Sequence, residues 1–359
     1  MKGKNTEEQY TLRLLVIRFS AIGDVAMTVP VVKALALSRP DVHVIVASRP
    51  YAKAFYEGLA PNVDFVGVDL KDKRYKGLFG LERLYKDLTA FCPDVVADLH
   101  DVLRTKYLAM RFMIAGIPVS VIDKCRKERK KLLKGEGEGL VSVFARYATV
   151  FENIGFVIPG LFDNKSPEPV IDIKHHVPQC SKNILEHVVT KGAIGIAPFA
   201  AHEGKIYPVE KMERVIKLLR ERFPTYPLLF FGGGKRDEEV FNAWCQKFSN
   251  VFFASRECHD MRDEMYLMQY LQCMVSMDSA NMHLASLVGV PVVSVWGATH
   301  TAAGFMGWKQ SYDDIVERHM ECRPCSIYGN KPCKRGDYAC LNDIEPEEIV
   351  NKVAKHIIQ

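Results

Sequence analysis

The sequence predicts an α/β protein of two doubly wound halves, and three observations carry that prediction. The chain has 359 residues, whereas single hydrophobic cores rarely grow beyond about 250–300 residues, so two domains are expected. Short continuous apolar runs alternate with helical patterns along most of the length, as in parallel strands buried on both faces and joined by right-handed crossovers. Between Gly155 and Val177 the chain carries Pro159, Gly160, Pro167 and Pro169, which marks a linker. The domains are therefore placed at residues 1–165 and 166–345. A last amphipathic helix, Pro346 to Ile358, falls in residues 346–359.

The bulk composition narrows the class. Apolar and charged shares of 48% and 25% are those of a soluble globular chain. The segment Met1 to Tyr10 lacks the apolar core of a signal peptide. No apolar run approaches the roughly 18 residues of a membrane span. A cytoplasmic location, at most bound to a membrane surface, is the expectation. Without a secretory signal, the ten cysteines read as reduced thiols or metal ligands. A net charge of +5 is mild, so where the basic residues lie matters more than their sum.

In the first half, Leu12 to Phe19 is an apolar strand. Ser20 to Asp24 is a tight turn supplied by Gly23 beside Asp24, and Val25, Val29, Val32 and Leu35 mark one face of a helix with Pro30 a turn into it. Further strands are expected at Val42 to Ala47, Phe65 to Val68, Val95 to Asp98 and Pro118 to Ile122, with helices at Leu78 to Phe91 and Thr105 to Ala115. Ligands on such sheets sit at the carboxyl ends of the strands. That edge carries Arg18, Ser20 and Asp24 from the first unit and Asp98, His100 and Arg104 from the fourth. His100 and Arg104 suit an acidic acceptor; a solvated loop is the other reading. Asp24 is either a helix cap or a chemical group.

Lys124 to Lys134 is the densest charge run, with Glu128 its only acid. It reads as a solvated, mobile loop or as a docking patch for anionic lipid or a sugar acid. No aromatic residues are interleaved to stack bases, so nucleic acid is not expected. Gly135 to Gly139 reads as a flexible linker, and a helix follows at Leu140 to Ile154.

The second half repeats the pattern. It has a strand at Ala193 to Ala197, a helix at Val209 to Phe223, a strand at Leu228 to Phe231 and a helix at Glu238 to Phe248. The stretch Cys273 to Gly297 then reads as strand, sharp turn, short helix and strand. After Asp278-Ser279, the residues Met282, Leu284, Ala285 and Val288 recur at helical spacing until Gly289 and Pro291 stop the helix. A helix opening this soon after a strand turns its N–H groups and positive dipole end toward whatever lies above the sheet. Ser279, Asn281 and His283 add donors there, which suits a diphosphate. Alternatively, Asp278 or Ser279 merely caps the helix and His283 is a core histidine. Gly232-Gly233-Gly234-Lys235 fits neither the P-loop nor the dinucleotide fingerprint.

The arrangement Asp278-Ser279-x-x-x-His283-Leu284-Ala285, followed by Gly289-x-Pro291 and a strand ending in Gly297, resembles the donor-site signature of glycosyltransferase family 9, the heptosyltransferases of lipopolysaccharide core assembly. Arg18-x-Ser20-x-x-Gly23-Asp24 matches that family's opening, and Lys205-Ile206-Tyr207-Pro208 keeps the lysine and proline of its Lys-x-Trp-Pro loop. Ala280, Tyr207 and His300 depart from the family's usual Gly, Trp and Asp. The resemblance implies a GT-B type fold, two Rossmann-like domains facing across a cleft, with the final helix crossing back to the first domain. It implies an inverting transfer of a sugar from a nucleotide-diphosphate donor, ADP-heptose, to a lipid-A-core saccharide. Asp24 is then the general base. Lys205, Asp278, Ser279, Ala280, Asn281 and His283 hold the donor's diphosphate, and Asp237 or Glu238 holds the ribose. Arg18, Ser20, His100 and Arg104 face the acceptor. Enzyme and acceptor would meet at the cytoplasmic face of the inner membrane.

No Asp-x-Asp pair occurs, so no cofactor or catalytic metal is expected. Cys322, Cys325, Cys333 and Cys340 fall in one short stretch, and structural zinc is an alternative to packed free thiols. Two other functions stay open: a transferase or epimerase for a different nucleotide sugar, and a non-catalytic RNA- or anionic-lipid-binding protein.

Overall fold

The computed structural model describes residues 10–163 and 168–357. The boundary expected at 165 and 166, Pro167, and the end of the final helix at Ile358 lie outside them. The described residues form two units.

The first unit is built on one parallel sheet. Strands β1 (Leu12–Ile17), β2 (Val42–Ser48), β3 (Val63–Gly67), β4 (Val95–Asp98) and β5 (Val119–Val121) lie in the order β3-β2-β1-β4-β5. All four neighbouring pairs are parallel. β1 is central, with Leu14, Leu15, Val16 and Ile17 buried, which is why its sequence is apolar without alternation. On one face Leu15, Ile17, Ile45 and Val96 pack against Leu84 and Leu88 of the helix Gly77–Thr89 and Leu108 and Phe112 of the helix Leu103–Ile114. The single helix expected after β1 is two, Ile22–Ala26 and Val29–Ser38. Pro30 lies in the first turn of the second, where its missing N–H is not needed.

The second unit repeats the logic with one more strand. β6 (Ala193–Ala197), β7 (Leu228–Phe230), β8 (Val251–Phe253), β9 (Leu271–Met277), β10 (Val292–Trp296) and β11 (Ile315–Glu317) form a parallel sheet in the order β11-β10-β9-β6-β7-β8. Renumbered from its own first strand this is 3-2-1-4-5-6, the dinucleotide-fold order. Both units are Rossmann-like.

Three expectations are corrected. Cys125–Ser142 belongs to the second unit, interrupting the N-terminal domain placed at 1–165. Its charge run is not a loop but holds a helix, Arg126–Leu132. That helix is anchored by Leu132 against Ala303 and Ile327, and the Leu140 N–H donates to the Ala302 carbonyl at 2.7 Å. The final helix, Pro346–Val353, packs within the second unit. Ile349, Val350 and Val353 sit in the second core with Met212, Val215 and Leu219 of the helix Val209–Arg222. Finally, Cys180 and Cys258 form a disulfide across an antiparallel bridge, where reduced thiols were expected. Among the described residues no helix is long and apolar enough to cross a membrane.

Tyr207 shows how the C-terminal segment is fastened. Its ring is fully buried and its hydroxyl donates to the Ile344 carbonyl at 2.8 Å. Tyr207→Phe removes that bond while Lys211 still reaches the same carbonyl at 3.0 Å. The expected cost is about 1 kcal/mol, read as a lower urea midpoint with an unchanged slope.

Candidate functional site

In a doubly wound sheet a crevice opens where neighbouring strands send their crossovers in opposite directions. In the first unit these strands are β1 and β4. The loop after β1 carries Arg18, Ser20 and Asp24. Arg18 is buried, with Nη2 at 2.9 Å from Asp24 Oδ1 and Nη1 donating to the Leu99 carbonyl at 2.6 Å. Asp24 is the third residue of the short helix, not its cap. Its Oδ2 accepts the Ala21 N–H at 3.1 Å, and its backbone carbonyl accepts the Tyr147 hydroxyl at 3.2 Å. The carboxylate remains 28% exposed, enough to meet a ligand.

The loop after β4 is no solvated loop. Asp98 and His100 are buried. Asp98 Oδ1 accepts the His100 N–H at 2.8 Å and the Asp101 N–H at 3.1 Å, while burial pushes its pKa upward. His100 Nε2 lies 3.2 Å from Ser20 Oγ. Burial, reinforced by the charges of Arg18 and Lys124, pushes His100 down to about 3, so it is a neutral hydrogen-bonding group. Ser20, His100 and Arg104 line a pocket of about 360 Å³, to which Arg49 and Lys71 also contribute. The last two were not anticipated, because each stands beyond a strand that is not at the reversal point. Three cationic side chains around one small pocket favour an acidic occupant.

In the second unit the reversal lies between β6 and β9. The loop after β6 ends in the turn Glu203–Lys205, and Lys205 Nζ sits 3.0 Å from Asp278 Oδ2, just beyond β9. Thr299 Oγ1 donates to the same carboxylate oxygen at 2.8 Å. Nothing in the spacing pointed to Thr299. The Lys205 turn is pinned by the Ala298 N–H, which donates to the Gly204 carbonyl at 2.8 Å. Gly297 permits that approach, since a Cβ there would lie 2.5 Å from the Gly204 oxygen.

The helix Ala280–Leu287 opens directly after Ser279. Ser279 makes no side-chain cap; its Oγ lies 3.2 Å from Ser276 Oγ. Asp278 is committed to Lys205 and Thr299. The capping alternative therefore fails, and the opening turn, with Ala280 and Asn281 half-buried, is left for a ligand. His283 is buried one turn further on.

Asp237 and Glu238 begin the helix Lys235–Lys247 beyond β7. Asp237 Oδ2 accepts the Gly233 N–H at 3.1 Å, and burial raises its pKa; Glu238 is exposed. Beside this turn the Gly232 N–H donates to Ser255 Oγ at 3.4 Å, and Ser255 donates to Glu264 Oε2 at 2.9 Å. Glu264 went unnoticed in the sequence because it lies in an ordinary amphipathic helix. Cys322, Cys325, Cys333 and Cys340 are not gathered as a ligand set: among the described residues no three His, Cys, Asp or Glu groups are placed to hold a metal. Cys325 Sγ donates to the Cys322 carbonyl at 3.1 Å, and burial pushes Cys340 up to about 11. His300 Nδ1 accepts the Ala302 N–H at 3.0 Å and so caps a turn.

The chain belongs to glycosyltransferase family 9 (heptosyltransferase), whose sequence profile matches residues 86–334. It is 20% identical to lipopolysaccharide heptosyltransferase 1 of Campylobacter coli over 361 aligned residues, 95% of this chain and 98% of that one. Its fold is that of the glycosyl transferase family 9 protein of Veillonella parvula, with a TM-score of 0.69 at 19% identity over 97% and 98% of the two chains. It is also that of E. coli heptosyltransferase WaaC with ADP, at 0.65 and 14% over 96% and 100%. This is a glycosyltransferase of GT-B type.

Burial raises Glu264 from an ordinary 4.5 to about 7. Between those values the folded protein keeps a proton that the unfolded chain releases, so stability falls as pH rises from about 4.5 to about 7 and is level on either side. Glu264→Gln should flatten that part of the urea-midpoint profile, and an unchanged slope would overturn the assignment.

Proposed function

From membership of that family we propose that this chain transfers heptose from ADP-heptose to an acidic saccharide of the lipopolysaccharide core, with inversion at the anomeric carbon. It would do so in the cytoplasm, at the inner face of the inner membrane. The observation that carries the reading is the Lys205–Asp278 pair, 3.0 Å apart at the reversal point of the second sheet, beside an uncapped helix start. The acceptor hydroxyl attacks the anomeric carbon, Asp24 takes its proton, and the bond to the diphosphate breaks to release ADP. Help from a general base is worth about 10²–10⁴-fold. Charge accumulating on the diphosphate is met by Lys205 and by the N–H groups at Ser279, Ala280 and Asn281. Such preorganised donors often contribute more than proton transfer does. His283 supports the same turn. Asp237 holds the Gly-rich turn, which leaves Glu238 for the ribose hydroxyls. Arg18, Ser20, His100 and Arg104, with Arg49 and Lys71, receive the acidic acceptor.

Asp24→Asn keeps an oxygen for the Ala21 N–H but cannot accept a proton. It should retain less than about a tenth of the wild-type kcat at saturating substrates, and a variant above that level sinks the base assignment. Lys205→Ala should lower kcat/KM by about 10²-fold. In a panel of nucleotide sugars, ADP-heptose at 100 times its Kd should add about 2.7 kcal/mol of stability. A larger shift with another nucleotide sugar would replace the donor.

A further inference from the structure

We propose that the first unit docks on an anionic lipid surface through the edge formed by the opening turns of the helices Gly77–Thr89 and Leu103–Ile114. Phe79, Leu78 and Leu103 would enter the headgroup layer, with Lys73 and Lys76 beside Leu78. These side chains are 93%, 67% and 86% exposed. A single exposed apolar residue needs no explanation, but these three share one edge of the first unit. The two helices follow β3 and β4 and run side by side in the same direction. Glu82 takes the Tyr107 hydroxyl at 2.8 Å and Arg111 at 2.9 Å, and the Tyr85 ring meets Phe112 at 5.0 Å. Their first turns are therefore adjacent, at the carboxyl edge of the sheet.

The stretch leading to Leu78 is basic on balance, with Lys71, Lys73, Arg74 and Lys76 against Asp69 and Asp72. Lys71, Lys73 and Lys76 are exposed just before Leu78, while Asp72 is taken up by Arg74 at 3.0 Å. Apolar tips beside a basic stretch match a surface with anionic headgroups above an apolar interior. The run Lys124–Lys134 lacks this combination: its Leu132 points inward to Ala303 and Ile327. Lys71 and Arg104 belong to the pocket as well. On the acceptor reading above, the docked edge thus presents the pocket to a saccharide that is itself held in a lipid layer.

The test is sedimentation of the full chain with vesicles of phosphatidylcholine alone or mixed with phosphatidylglycerol. Binding should be at least about tenfold tighter to the anionic vesicles and fall with salt. Leu78→Ser with Phe79→Ser, and separately Lys73→Gln with Lys76→Gln, should each weaken it by about tenfold. Lys127→Gln with Lys130→Gln and Lys131→Gln should change it by less than about twofold. The edge variants should keep their thermal shift with ADP and their transfer to a delipidated, water-soluble acceptor, which shows that they are folded. The proposal is overturned by equal binding to both vesicle types. It is equally overturned by loss of binding only in the Lys127 set, or by edge variants that alter self-association and leave vesicle binding intact. If soluble transfer persists while vesicle binding fails, only this inference falls; if soluble transfer is absent in the wild type, the functional reading falls instead.

Discussion

A parallel sheet whose winding reverses cannot close over its own middle. On either side of the reversal the connecting chains leave toward opposite faces, so the carboxyl ends of two neighbouring strands stay uncovered. Both sheets here reverse once, at β1/β4 and at β6/β9. The side chains proposed for the chemistry gather there: Arg18, Ser20, Asp24 and His100 in one unit, Lys205, Asp278 and Ser279 in the other. The buried strands can be almost wholly apolar because the polar work is confined to those ends. Leu14 to Ile17 and Cys273 to Val275 have no accessible surface to speak of, yet each leads within a few residues to a charged group.

The Lys205–Asp278 pair illustrates how a charge is kept in such a place. Asp278 is only 4% exposed, and a buried carboxylate is tolerable when paired and hydrogen-bonded. Lys205 and Thr299 meet both conditions at a single oxygen. The same pair fixes an otherwise flexible lysine, whose ordering would cost binding energy if it had to occur with the ligand. A second ion pair serves the first unit: Arg18 holds Asp24 while its other amino group is tied to the Leu99 carbonyl. In each unit the group proposed for chemistry is positioned by an opposite charge that makes a second hydrogen bond of its own, Arg18 donating to the Leu99 carbonyl and Asp278 accepting from the Thr299 hydroxyl.

Much of this architecture was legible in the sequence, since long apolar runs such as Leu12 to Ile17 and the strand–turn–helix at Asp278 have one plausible reading. What escaped was short or non-local. β11 has three residues, only two of them apolar, too few to display a period. The segment Cys125–Ser142 lies in sequence inside the first half but finds its apolar partners at Ala303 and Ile327, a pairing no local pattern encodes. The same limit explains Cys180 and Cys258, 78 residues apart. It also explains the final helix, whose amphipathic face was evident while the surface it covers was not. Among the candidate site residues, those within recognisable turns were named from the sequence. Thr299, Arg49, Lys71 and Glu264 were not, because their roles depend on neighbours brought together by the fold.

Asp24 joins the structural and chemical readings that the sequence could only set against each other. A carboxylate offers about four lone-pair directions. One oxygen accepts the Ala21 N–H and the other faces Arg18, so capacity remains for an incoming hydroxyl. The bond from the Ala21 N–H ties the side chain to the first turn, so its direction follows the backbone. A residue that ties down a helix start is therefore well suited to present a base: the contact that stabilises the turn also aims the oxygen, with no separate device needed to hold it.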